Sequence, residues 1–166
     1  MNPPPFYLYE GASIMIDFNK YMIAQEGIFS SFKEAKAKKA KIASIEDELK
    51  SMDPKKAAEK IIAAVKAYSK SPEGQKNGYT IASDANSIQA LRTMSYDYQA
   101  QPGMINPTTS ELTTISGVKC IFVTRKSKET GEPVFAQLVI PVIYNGKPTQ
   151  DVISRHSGAM VIANNT

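Results

Sequence analysis

The sequence predicts an α+β protein in which helices come first and an antiparallel sheet follows. Three observations carry this. Apolar residues recur at three- and four-residue steps from residue 13 to residue 68. After Gly117 the period changes to two. Asn145-Gly146, set between two strand-like runs, is the strongest short hairpin signal in the chain.

Residues 1–12 read as an extended arm. Pro3-Pro4-Pro5 favours polyproline geometry, and Phe6, Tyr7 and Tyr9 make the arm aromatic. Residues 13–116 read as the helical region. Ile14, Phe18, Met22, Phe29, Phe32, Ile42, Ile45 and Leu49 form one apolar side of a long helix that ends near Ser51, with a break or kink at Gly27. Asp53-Pro54 starts a second helix, because aspartate accepts from orphan amides and proline suits the first helical turn. Ala57, Ala58, Ile61, Ile62, Val65 and Tyr68 form its apolar face, and the turn between the two helices is short enough for an antiparallel hairpin. A third helix, capped by Ser83 or Asp84, carries Ile88, Leu91 and Met94 and stops at Pro102-Gly103. Asn106-Pro107 and the spacing Thr108-Thr109-Ser110-Glu111 predict a short helix to about residue 116, stopped by Gly117.

Residues 117–166 read as a four-stranded antiparallel meander, packed with the helical region as one compact domain. Val118, Cys120, Phe122 and Thr124 alternate with Lys119, Ile121, Val123 and Arg125 in the first strand. The second spans 134–144; it is apolar on both faces, with Pro141 as a bulge or break. Strands near 149–155 and 159–163 complete the meander around a turn at His156-Ser157-Gly158.

Composition bounds the function. With 166 residues, 42% hydrophobic and 22% charged, the chain is neither collagen-like nor wholly disordered. Its length allows roughly 70% of the extended-chain surface to be buried. A single cysteine and a single histidine exclude an intrachain disulfide framework, a multi-thiolate zinc site and a multi-histidine site. No metal and no cofactor is expected. The net charge is +4, with a pI near 9.0. Of 20 basic residues only Arg92, Arg125 and Arg155 are arginine. Lysine supplies nonspecific phosphate contacts, whereas arginine reads guanine and phosphate with two bonds, so sequence-specific DNA recognition is disfavoured. No apolar run is long enough to cross a membrane, and the amino terminus lacks the pattern of a cleaved signal. The expected site of synthesis is the cytosol, with virion association or export without a cleaved signal as later destinations.

Candidate chemistry is sparse. Lys33, Lys36, Lys38, Lys39 and Lys41 crowd one helix and are the candidate anion or nucleic-acid contacts. They spread around the helix rather than along a stripe, and a solvated surface is the plainer reading. His156, with Ser157 and Asp151 near in sequence, supplies the residue types of nucleophilic catalysis without the Gly-x-Ser-x-Gly elbow. Cys120 reads as a small buried residue, and Glu46, Asp47 and Glu48 diverge around a helix. Tyr96-Asp97-Tyr98 has the aromatic content of a contact surface.

Phe6-Tyr7-Leu8-Tyr9-Glu10 resembles the start of mature type IV pilins, which join a long amino-terminal helix to an antiparallel sheet. The resemblance covers those five residues. Pro5 stands where the processing glycine would be, and Asp17, Asn19 and Lys20 interrupt the apolar helix, so no membership follows.

The functional expectation is therefore a non-enzymatic structural or interaction subunit of a filament, virion or secretion apparatus. It would self-associate or bind a protein partner through Pro3, Phe6, Tyr7, Tyr9, Phe18, Met22, Phe29 and Phe32. The alternatives are a nonspecific nucleic-acid-binding accessory protein using the lysine-rich helix, and a small hydrolase around His156.

Overall fold

The computed structural model describes residues 32–99 and 108–165. The proline arm with Pro3, Phe6, Tyr7 and Tyr9, and the stripe residues Phe18, Met22 and Phe29, lie outside the described residues. In chain order the elements are α1 (Phe32–Ser51), α2 (Pro54–Lys70), α3 (Pro72–Lys76), β1 (Tyr79–Ile81), α4 (Ala85–Gln99), β2 (Thr108–Ile115), β3 (Val118–Lys126), β4 (Pro133–Tyr144), β5 (Lys147–Ser154) and α5 (Arg155–Asn164). The class is α+β, with helices ahead of an antiparallel sheet.

Local chemistry explains most boundaries. The Lys56 amide donates to Asp53 Oδ2 at 3.3 Å, with Pro54 in the first turn of α2. The Ser87 amide donates to Asp84 Oδ2 at 3.0 Å, so Asp84 caps α4. Asn145 and Gly146, at φ +51° and +79°, form the two-residue turn between β4 and β5. Ser116 and Gly117, at +51° and +80°, do the same between β2 and β3. Both positive angles are what a type I′ hairpin turn demands, and its twist matches that of the strands.

Strands β2 to β5 form a four-strand meander, but not the four strands expected. Residues 108–115, expected as a helix, are β2. Thr108, Thr109, Thr113, Thr114 and Ile115 are β-branched, and the Ser116-Gly117 turn folds them back onto β3. At the other end, residues 159–163, expected as a strand, lie in α5. The expected turn at His156-Ser157-Gly158 is the first turn of that helix, closed by a capping box between Ser154 and Ser157. The meander therefore begins at Thr108, the short strand β1 joins the sheet from within the helical stretch, and the chain returns to helix after Ser154.

β4 is the central strand. β5 pairs with residues 137–144 along one edge. The other edge changes partner: β3 pairs with it up to Val139, and β1 takes over from Val142 to Tyr144. Pro141 sits in the gap between those two ladders, where its missing N–H leaves no bond unmade; its carbonyl accepts from the Ala82 amide at 2.8 Å. The bulge or break expected at Pro141 takes the form of this change of partner. The register shift in the sheet lies elsewhere, between Val123 and Thr124 of β3.

Helices cover both faces of the sheet. On one face Leu138, Ile140, Ile153, Cys120 and Phe135 pack with Ile42 and Leu49 of α1, Ile61, Ile62 and Val65 of α2, and the apolar residues of α5. On the other face Ile121, Val123, Val139 and Val152 pack with Leu91 and Met94 of α4. The direct contact between α1 and α2, the expected hairpin, is slight; α5 packs along α1 and also touches α2. Lys41 of α1 meets Ala163 of α5 and Glu46 meets His156, so the antiparallel helical pair is α1 with α5.

Gly158 permits this arrangement. A Cβ there would stand 2.8 Å from Ile61 Cδ1 and 3.0 Å from Cγ1. Gly158→Val is expected to destabilise the protein by about 1–3 kcal/mol through overpacking. Adding Ile61→Ala should recover part of the loss. A double-mutant cycle by denaturant unfolding checks this, and additive losses would place the strain elsewhere.

Candidate functional site

The structure separates the serine, histidine and aspartate that lie close in sequence. His156 Nδ1 pairs with Glu46 Oε2 on α1 at 2.9 Å, on the surface. Ser157 is buried in the capping box, where its Oγ accepts from the Ser154 amide at 2.8 Å. Asp151 lies on β5 in the sheet core. Each side chain is committed to a different partner, and the nucleophile–base–orienter geometry of a hydrolase is not formed by these three. Burial pushes the Cys120 thiol up to about 11, which keeps it an unreactive core group at neutral pH.

Asp151 is the most perturbed acid among the described residues. It is 2% exposed. Tyr79 Oη donates to its Oδ2 at 2.5 Å, and among the described residues its Oδ1 has no hydrogen-bond partner. Tyr79 is itself fully buried, with its ring edge-on to Tyr68 at 5.2 Å and 73°. Asn77 Nδ2 donates to Tyr68 Oη at 3.1 Å, so polar atoms lead from the loop before β1 inward to the carboxyl. Glu73 and Tyr144 also lie near Tyr68. Loss of hydration pushes Asp151 up to about 6, offset in part by the Tyr79 bond. Burial, then the adjacent Asp151 charge, pushes the Tyr79 phenol well above its ordinary range.

The candidate lysines do not share one role. Lys36 and Lys39 are exposed, Lys38 is half-buried, and Lys41 Nζ donates to the Ala163 carbonyl at 3.4 Å. Lys41 thus serves the carbonyl end of α5, where a cation is favoured. Only the backbone of Phe32 and Lys33 is described. An open cleft of about 490 Å³ lies between the end of α1 and the β3–β4 turn, lined by Asp47, Lys50, Met52, Glu129, Glu132 and Pro133 among others. Lys50 pairs with Glu129 across it at 3.5 Å. Among the described residues, no cluster of histidine, cysteine and carboxylate side chains is placed to hold a metal ion.

Among the described residues the outer strands of the sheet are β2, β5 and the three-residue β1. β5 begins Lys147-Pro148, two residue types that discourage further pairing. β2 reads Thr108 to Ile115 with one charge, Glu111, and no proline. Among the described residues nothing pairs with its outer edge. Ile115 and Val118 flank the two-residue turn and form a bonded pair, so alternation turns the N–H and C=O groups of Thr108, Ser110, Leu112 and Thr114 outward. Thr109, Glu111 and Thr114 are exposed, and Leu112 is half-buried against the second core. The exposed Tyr96 stands on α4, on the same face of the sheet as Leu112. The sequence reading missed this edge; the β-branched run ahead of Ser116-Gly117 was its signal.

Comparison with protein-family models, curated proteins and solved structures finds no match.

Asp151 has a testable signature. Its folded-state value lies above the unfolded 3.8, so the folded form holds the proton more tightly. Its contribution is greatest below pH 4 and is lost as pH rises through about 6. From this group alone the protein should be on the order of 1 kcal/mol more stable at pH 5 than at pH 7.5. Asp151→Asn should remove that increment when the two proteins are compared by urea unfolding at both pH values. An unchanged difference would show that the carboxyl does not titrate in this range.

Proposed function

We propose that this chain is a non-enzymatic assembly subunit that joins its neighbours by strand addition at the outer edge of β2. The observation that carries the reading is that edge: outward-facing donors and acceptors, one charge, no proline, and an opposite edge blunted by Lys147-Pro148. Main-chain hydrogen bonds give such a contact its affinity, and side chains at alternate positions set its choice of partner. Exposed Tyr96 on α4 adds an aromatic contact of the kind enriched at interfaces. Filament, virion and secretion assemblies remain the settings that fit a subunit of this size. The lysine-rich helix supports nucleic-acid binding less well, since Lys41 is engaged with α5 and Lys38 is half-buried.

The test uses a proline placed where only the outer edge needs the amide. Thr114 is exposed and its N–H faces outward, so Thr114→Pro removes a donor from the edge and none from the β2–β3 ladder. Light scattering of the wild-type chain at micromolar concentration is expected to give a mass above that of one chain. Thr114→Pro should weaken association at least tenfold with circular dichroism unchanged. A wild-type monomer, or an oligomer that ignores the proline, overturns the reading.

A further inference from the structure

We infer that the strand completing the β2 edge is the β2 of a second copy, antiparallel about a two-fold axis at Leu112. The inference rests on the assembly reading above and adds the partner and the register. A two-fold antiparallel pairing uses the edge fully only when outward-facing residues lie opposite outward-facing residues. Those residues are Thr108, Ser110, Leu112 and Thr114. Axes at residues 110, 111, 112, 113 and 114 satisfy this rule, and an axis between two residues does not.

Length and charge choose among them. An axis at Leu112 pairs residues 109–115 of one copy with 115–109 of the other, which uses all of β2 except Thr108. An axis at Glu111 covers as much strand and brings Thr108 opposite Thr114 as well, but it sets the two Glu111 carboxylates directly opposite each other, a repulsive cross-strand pair, and charge decides against it. The other axes leave much of the edge unpaired. With the axis at Leu112, Glu111 faces Thr113 and Ser110 faces Thr114 of the other copy.

The apolar surface agrees with this choice. Leu112 is half-buried and packs against the core of Ile121, Val123, Val139, Leu91 and Met94. Opposite its own copy it lies about 5.5 Å away, Cα to Cα, as a bonded pair requires. The two cores under the α4 helices then run continuously through the pair of leucines, and the half-exposed Leu112 side chain is covered.

Cysteine variants read the register. Glu111→Cys and Thr113→Cys are made separately, checked for folding by circular dichroism, mixed in equal amounts and oxidised with oxidised glutathione. Native Cys120 is fully buried and stays outside the exchange. A covalent dimer is expected in the mixture at tenfold or more the yield of either variant alone. Strong self-linking of the Glu111→Cys protein alone would move the axis to residue 111, and strong self-linking of the Thr113→Cys protein alone to residue 113; either overturns the inference. So does a wild-type dimer with no cross-link in any combination. If a cysteine variant fails to fold, the wild-type chain decides: a mixed-labelled sample should show nuclear Overhauser contacts between Leu112 methyl groups of different copies, and their absence overturns the register. A monomeric wild type would instead remove the assembly reading itself. An oligomer that is sensitive to Thr114→Pro but has another cross-linking pattern would remove this register alone.

Discussion

The protein is organised around the need of β4 to satisfy two edges and two faces at once. Its residues from Leu138 to Val142 are buried without interruption, as expected for a strand covered on both sides. One edge is bonded by β5 from Gln137 to Tyr144, while the other is shared between β3 and β1. The helices follow from that: α1, α2 and α5 cover the face of Leu138, Ile140 and Val142, and α4 covers the face of Val139. Pro141 is tolerated only because the shared edge changes hands beside it.

The buried Tyr79–Asp151 bond belongs to the same design. Tyr79 stands on β1 and Asp151 on β5, so the bond reaches across β4 from one flanking strand to the other. β1 has only a short ladder of its own, Tyr79 to Ile81. Its position is reinforced by the Tyr79 ring in the core and by the Asn145 amide, which donates to the Gly78 carbonyl at 3.2 Å. A Cβ on Gly78 would stand 3.1 Å from the Asn145 backbone, which shows how closely the two turns approach. A carboxylate with one unbonded oxygen is a costly thing to bury, and the tyrosine offsets only part of that cost.

The readable elements were those whose causes are local. Asp53-Pro54, Asp84 and Asn145-Gly146 each act within a few residues, and each stands where the sequence placed it. The alternation of β3 and the doubly apolar run of β4 were equally plain. β2 and α5 were exchanged for a different reason. Thr108-Thr109-Ser110-Glu111 fits a capping box in spacing, yet it carries the branched side chains of a strand, and the partner that decides between the two is β3. Residues 157–163 are buried on every side, so α5 shows no amphipathic period, and a fully buried helix cannot be told from a strand by pattern alone. Missing α5 also hid the true partner of α1. Of the candidate contacts, the lysines lie on α1 as expected, but the engagement of Lys41 with Ala163 depends on a helix that the pattern did not reveal. The Tyr79–Asp151 pair had no sequence signal, because 72 residues separate its members.

The pairing of α1 with α5 carries a consequence for how the chain is made. Its contacts join residues 110 and 122 positions apart, from Glu46 to His156 and from Lys41 to Ala163. On the ribosome α1 emerges well before the helix it packs against. Its stripe of Ile42, Ile45 and Leu49 must wait, uncovered, until nearly all of the described chain has been synthesised. The tight β2–β3 and β4–β5 hairpins, by contrast, close over a few residues as soon as they appear. The first described helix is thus among the last to find its place, and during elongation its apolar side is open to chaperones or to a neighbouring nascent chain.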